Sequence, residues 1–305
     1  MSVMTEEDGQ ASASLTRAYA RLLSNELLPS RSGDLPNSAY PLRCRAPVEL
    51  NDDRLQAYRR LLGLPAADLM PPLYPQVAAM PLHLQLLSTP GLPGRSLGVV
   101  HLGQRVRWKQ SMERPREEQG RALDLEVSLR PGAAHPRGRI FHMETVWRDP
   151  EGVSRWEAES LLLFRGVGAP DGADVQRLPP SAPRVPAESD SQGFECPAGI
   201  GRSYARVSGD WNPIHLSSMS ARLFGFQCPI VHGMWTLAKA LVTVEERHPT
   251  HLAGTGLEAW FTAPLFWPSE SRLHVSPAGD WFQVDRDSAR RKPALWGRVS
   301  PLAQN

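Results

Sequence analysis

Residues 208–234 read SGDWNPIHLSSMSARLFGFQCPIVHGM. Within them, Gly209-Asp210-Trp211-Asn212-Pro213-Ile214-His215 sets an acid and an imidazole five residues apart. Gly-Asp and Asn-Pro both favour turns, so the spacing predicts a tight, non-helical loop. A short helix over 218–224 is expected next, with Ser217 or Ser218 as its N-cap and Gly225 as its stop. Pro229-Ile230-Val231-His232-Gly233-Met234 then opens a longer apolar helix, expected from about Val231 to Arg247. A helix start leaves backbone N–H groups without partners and carries positive potential. A glycine there, Gly233, lets a ligand oxygen approach the backbone. Acid, base and oxyanion donor are the parts needed for proton chemistry beside a carbonyl.

Outward from this stretch the chain repeats an order of elements. After the 231–247 helix come strand-like runs at 256–267, 271–276, 280–285 and 293–299. The first half has a helical stripe of Val77, Met80, Leu84 and Leu87, stopped by Pro90-Gly91. Strand-like runs follow at 97–109, 122–130, 138–148 and 155–165, with turns expected at Pro131-Gly132 and at 149–152. Pro75–Met80 aligns with Pro229–Met234, and Leu87 then falls over Leu241. This is a weak internal repeat of helix followed by antiparallel strands. The first copy has no counterpart of GDWNPIH and carries Ala78-Ala79 where the second has His232-Gly233. Two further helices are expected, at 14–28 and 52–63. Residues 167–190, rich in Pro, Gly, Ser and Asp, read as a linker. The expected division is therefore an extension over 1–44, a first repeat over 45–166, the linker, and a second repeat over 191–305.

The 305 residues carry 34 basic and 32 acidic side chains, a net charge of +2. That balance offers no electrostatic case for nucleic acid or an anionic membrane. The mixed run Arg114–Arg121 reads as solvated loop. Three scattered cysteines do not make a disulfide framework, and the acidic N-terminus does not resemble an export signal. No aliphatic stretch approaches bilayer length. A cytoplasmic, soluble protein is expected.

Several chemistries compete for the same residues. Asp210 and His215, with ordinary pKa values of about 4 and 6.5, could hold one water between them and exchange protons with a substrate. The plainer alternatives are an Asx turn at Asp210 and a surface histidine. Gly233 could serve close helix–sheet packing, and His232 could be a satisfied core histidine. Asn212 and Pro213 suit locking of the loop, while Asn212 could also point into the site. Cys228, His232, His215 and Asp210 can be drawn as a zinc site, but Pro229 and the lack of a second cysteine pair argue against it. No Gly-x-Ser-x-Gly elbow, phosphate-cradling loop or dinucleotide fingerprint is present. The tryptophans, among them Trp147, Trp211, Trp235, Trp260, Trp267 and Trp281, read mostly as core.

At these residues the sequence resembles a known family. Tyr204–Ala221, YARVSGDWNPIHLSSMSA, looks like the signature of MaoC-like (R)-specific enoyl-thioester hydratases and dehydratases. Gly225–Met234 matches the accompanying Gly-Phe-x-x-Pro-Ile-x-His-Gly-Met pattern. The resemblance implies an α+β double hot-dog: two copies of a long helix wrapped by a curved antiparallel sheet, the first without the catalytic loop and housing the acyl tail. It implies catalytic roles for Asp210, His215 and the Gly233 amide. Asn212, His232 and Met234, beside them in the sequence, are the candidate substrate contacts. The resemblance implies no metal and no cofactor beyond the CoA or phosphopantetheine of the substrate. An acyl-carrier protein is an expected partner. Free sheet edges would favour a homodimer, a need that two hot-dogs in one chain could also satisfy internally. Leu241 departs from the polar residue some members carry near that position. Two rival functions stay open: a hot-dog acyl-CoA thioesterase and a non-catalytic acyl-binding protein.

Overall fold

The computed structural model describes residues 22, 36–65, 69–93, 96–110, 112, 122–168, 174–248, 252–287 and 292–302. The helix expected over 14–28 lies outside these apart from Leu22, which is helical and buried with Leu84, Met80 and Leu87. The Arg114–Arg121 run lies wholly outside them. Among the described residues no helix is long and apolar enough to cross a membrane.

The chain forms two compact units whose segments interleave. The first comprises 1–50, 75–101 and 115–178, and the second 51–74, 102–114 and 179–305. Residues 51–74, which chain order puts in the first repeat, thus belong with the C-terminal unit. The reason is visible in their helix, α1 (Asp52–Leu62). Its Leu55, Tyr58 and Leu62 are buried, and Tyr58 packs against Tyr204 of the C-terminal unit at 6.4 Å. Asn51 caps its start by accepting from Arg54 N at 2.8 Å, and Gly63 ends it in the left-handed region. Lys239 Nζ donates to the Leu62 carbonyl at 2.9 Å, which satisfies an orphan acceptor at the helix end.

In the first unit, helices α2 (Tyr74–Ala78) and α3 (Met80–Leu87) replace the single expected helix. Pro81 explains the break: it cannot donate to the carbonyl four residues back, and its ring crowds that turn. The sheet runs β1-β3-β4-β5 with every neighbour antiparallel: β1 (Leu42–Glu49), β3 (Ala122–His135), β4 (Gly138–Arg148) and β5 (Ser154–Arg165). β1 begins inside the stretch expected to be an extension. Alternation of period two buries Leu123, Leu125, Val127 and Leu129 on one face, each worth about 1.5–3 kcal/mol. The turn expected at Pro131-Gly132 is a correction. β3 continues to His135 through an irregularity between Pro131 and Ala134, and the chain reverses at 136–137 instead. A bulge absorbs the proline whose missing N–H would otherwise leave a gap in the ladder. Part of the expected linker is ordered against β3: Ala134 N donates to Asp174 O, and Gln176 N to Ala134 O.

In the second unit the strand order is β2-β7-β10-β9-β8-β6, again antiparallel throughout. The strands are β2 (Val100–Trp108, which enters this unit at Leu102), β6 (Asp190–Cys196), β7 (Thr255–Phe261), β8 (Ser269–Val275), β9 (Trp281–Asp287) and β10 (Lys292–Pro301). Three helices, α4 (Ile200–Ser208), α5 (Ser218–Leu223) and α6 (Gly233–Arg247), complete it. From Trp235 to Val244 every residue of α6 except Lys239 is buried. A helix apolar nearly all round is a core helix, and α6 lies on β9 and β10. In the repeat alignment, α3 and α6 start within one residue of each other.

Candidate active site

The site is assembled where α4 ends and α6 begins. Gly209 closes α4 at φ 79°, a left-handed conformation that glycine adopts without cost, and donates to Ala205 O at 2.8 Å. The chain then turns at Asp210, whose carboxylate Oδ1 accepts from Asn212 N at 3.1 Å. The Asx turn is therefore real, and it is also what aims the carboxylate. The backbone of Asp210 is held at both ends. Its N–H donates to Ser208 Oγ at 3.1 Å, and its carbonyl accepts from His232 Nε2 at 3.0 Å. Asn212 Oδ1 accepts from Ile214 N at 3.4 Å and so caps the 3₁₀ turn Pro213–His215. Ser217 caps α5 by accepting from Ser220 N at 3.1 Å, and Gly225 follows it with positive φ. Trp211 is a correction to the core reading: it is 41% exposed.

The two imidazoles stack, His215 on His232, with ring centroids 3.7 Å apart. His215 is buried, and its Nδ1 stands 2.9 Å from the Ile230 carbonyl. A carbonyl only accepts, so Nδ1 carries the proton and the other nitrogen, Nε2, is left as a base. Burial lowers the His215 pKa, partly opposed by the Asp210 charge and the Ile230 carbonyl. Burial and the His215 neighbour push His232 down to about 3. Both rings are accordingly neutral at pH 7. His232 Nδ1 is buried without a hydrogen-bond partner, and the ring rests on Tyr204 at 4.9 Å. One donor atom each from Asp210, His215 and His232 lie within 4.8 Å of one another. These three could also ligate a cation. Cys228 is exposed and is not part of that cluster.

Gly233 is the first residue of α6, directly after His232. A side chain on it would meet the Phe261 ring at 2.8 and 2.9 Å, so helix–sheet packing alone requires its smallness. The packing reading is thus met by Phe261, and the Gly233 amide lies in the first turn of the helix, where N–H groups lack intrahelical partners. Met234 follows, half-buried in the same turn.

Three supporting elements were not foreseen from the sequence. α4 itself carries Gly201, where a Cβ would overlap the His215 carbonyl oxygen and stand 2.8 Å from Trp267 Nε1. Trp267 Nε1 donates to that same carbonyl at 3.3 Å. Loop 229–231 is pinned by Ile230 N to Ile214 O, Val231 N to Leu265 O and Trp267 N to Pro229 O. In the sequence, the amphipathic periodicity of 200–208 and the glycine at 201 are the signals of this helix. In the first unit the corresponding Ala78 and Ala79 are buried and supply no titratable group.

Two copies of a helix laid on an antiparallel sheet, one with the loop of Asp210 and His215 at its helix start, define a double hot-dog protein. Residues 199–288, in the second copy, match the model of the MaoC like domain family. The chain is 26% identical over 273 residues to 3-hydroxyacyl-thioester dehydratase X of Mycobacterium tuberculosis, covering 89% of this chain and 92% of that one. The crystal structure of HtdX from the same organism superposes with a TM-score of 0.67 at 23% identity, covering 86% of this chain and all of that one. A conserved M. tuberculosis protein described as a double hotdog fold gives a TM-score of 0.50 at 16% identity, covering 86% and 96%.

Proposed function

We propose that the C-terminal unit hydrates trans-2-enoyl thioesters to (R)-3-hydroxyacyl thioesters, and catalyses the reverse dehydration, on acyl-CoA or acyl-carrier-protein substrates. The observation that carries this reading is the approach of the Asp210 carboxylate and a His215 ring nitrogen within 4.8 Å. A gap of that size has room for one water with a hydrogen bond of about 2.8 Å to each. The name of the M. tuberculosis relative supports the same chemistry.

Neutral His215, its Nδ1–H engaged by Ile230, offers its other nitrogen to the water, and Asp210 orients the second O–H. The hydroxyl adds to Cβ, and the proton taken up by the pair returns to Cα, so the protein ends as it began. Charge developing on the thioester oxygen is met by the Gly233 amide in the first turn of α6, at about 3 kcal/mol for such a donor. Asn212, His232 and Met234 flank that turn and are assigned to substrate contact, with Asn212 Oδ1 and His232 Nε2 also serving the loop. The cycle adds OH to Cβ and H to Cα with proton transfers as the protein's own part, and it calls on no metal or cofactor, so turnover should persist in excess chelator. The cysteines are free thiols, which suits a reducing cytosol. The test offers a panel of trans-2-enoyl-CoA esters to the protein, following loss of the conjugated chromophore and, in parallel, thiol release. Hydration without thiol release is expected. Thiol release without hydration makes the protein a thioesterase, and binding without either makes it an acyl-binding protein.

A further inference from the structure

The carboxylate side of the site rests on a residue far upstream. Arg54 projects from the first turn of α1, and its guanidinium reaches the C-terminal end of α4, where Nε donates to Val207 O at 2.6 Å and Nη2 to Ser208 O at 2.8 Å. Those carbonyls are among the last four of α4 and have no intrahelical donors. A cation there also meets the negative end of the helix dipole. Ser208 is buried, and its hydroxyl accepts the Asp210 N–H. One residue is thus gripped by Arg54 on its carbonyl and grips Asp210 with its side chain. Arg54 cannot drift, because its own amide is tied to Asn51 Oδ1 at 2.8 Å and its helix is seated by Leu55 and Tyr58. Neither α1 nor Arg54 lies within residues 199–288, the span matched by the family model.

We infer that Arg54 is a positioning residue for Asp210: by holding the end of α4 through two fixed hydrogen bonds, it sets where the carboxylate stands relative to His215. The inference rests on the hydration reading for its kinetic arm only. A guanidinium fork spans two adjacent carbonyls, and the single ammonium of lysine does not reproduce its geometry. The test compares the full-length wild type with Arg54→Ala and Arg54→Lys. With an enoyl-CoA substrate, kcat should fall roughly 10- to 100-fold in Arg54→Ala, the scale of a misplacement of about 1 Å, with KM within about twofold. Ethylguanidinium should restore Arg54→Ala several-fold and leave Asp210→Asn unrescued. Arg54→Lys should recover less than the rescued alanine variant.

The second arm needs no turnover. Hydrogen–deuterium exchange in the peptide spanning 207–215 should quicken at least about tenfold in Arg54→Ala, as expected when local opening is made easier. The peptide spanning 236–244 should stay unchanged. Wild-type protein that fails to hydrate any enoyl thioester overturns the functional reading and leaves the exchange arm standing. Unchanged exchange at 207–215 overturns the inference. So does a kcat loss that follows the fall in folded fraction and resists guanidinium rescue.

Discussion

Gly201 and His215, on different elements, touch so closely that a methyl group on the glycine would occupy the space of the histidine's carbonyl oxygen. The carbonyl is backbone and cannot rotate away, and Trp267 holds it from the other side. Gly201→Ala should therefore push the 213–215 turn off α4, costing about 1–3 kcal/mol as overpacking does. It should also lower kcat by roughly a hundredfold through displacement of the imidazole. Thermal unfolding and enoyl-CoA kinetics on the same preparation check both.

Asp210→Asn keeps an oxygen to accept from Asn212 N, so its melting temperature should stay close to wild type while turnover falls by about 10²–10⁴. His215→Ala should be equally inactive but less stable. It leaves the Ile230 carbonyl without the ring donor it now has, worth about 1–3 kcal/mol if that group stays buried. Full activity in either variant refutes the acid–base pairing.

Gly233→Ala retains the amide but drives a Cβ into the Phe261 ring. It should destabilise the protein by about 1–3 kcal/mol. Phe261→Leu added to it should restore much of that loss if the glycine is small for packing. Chemical denaturation of the two single variants and the pair forms the cycle. Loss of activity that persists in the stabilised pair would place the effect on the substrate oxygen instead.

His83 and His232 are both pushed down to about 3 by burial, and His215 is lowered as well. Histidines held neutral in the fold bind fewer protons than in the unfolded chain below pH about 6.5, so stability rises with pH in that range and is lost on acidification. Each fully neutral buried histidine contributes about 1.4 kcal/mol per pH unit between about 6.5 and its folded pKa. Urea midpoints should fall steadily from pH 7 to pH 5. The fall should be shallower in His83→Gln, which keeps a polar partner for Thr145. Activity should hold through pH 6.5 and decline only below it, as His215 gains its proton. A rate that halves already near pH 7 would mean that His215 is not the base described.

Local chemistry was enough for the parts of this protein that are written in consecutive residues. The turn pairs of 209–213, the serine cap at 217, the glycine stops at 63 and 225 and the period-two strands all appear where residue type alone demands them. Asp210 and His215 also come together with His232, the residue before α6, with only a short stretch of chain between them. Local reading failed where a distant group decided the outcome. Pro131-Gly132 stays within a strand because β4 lies alongside it. Residues 51–74 belong with the second unit because α1 finds its apolar partners there. The tautomer of His215 is set by the carbonyl of Ile230, the need for Gly201 by the backbone of His215, and the seat of Asp210 by Arg54. None of these leaves a trace in its own neighbourhood, since a hydrogen bond or an overlap between residues far apart in the chain comes into being only when the chain has folded.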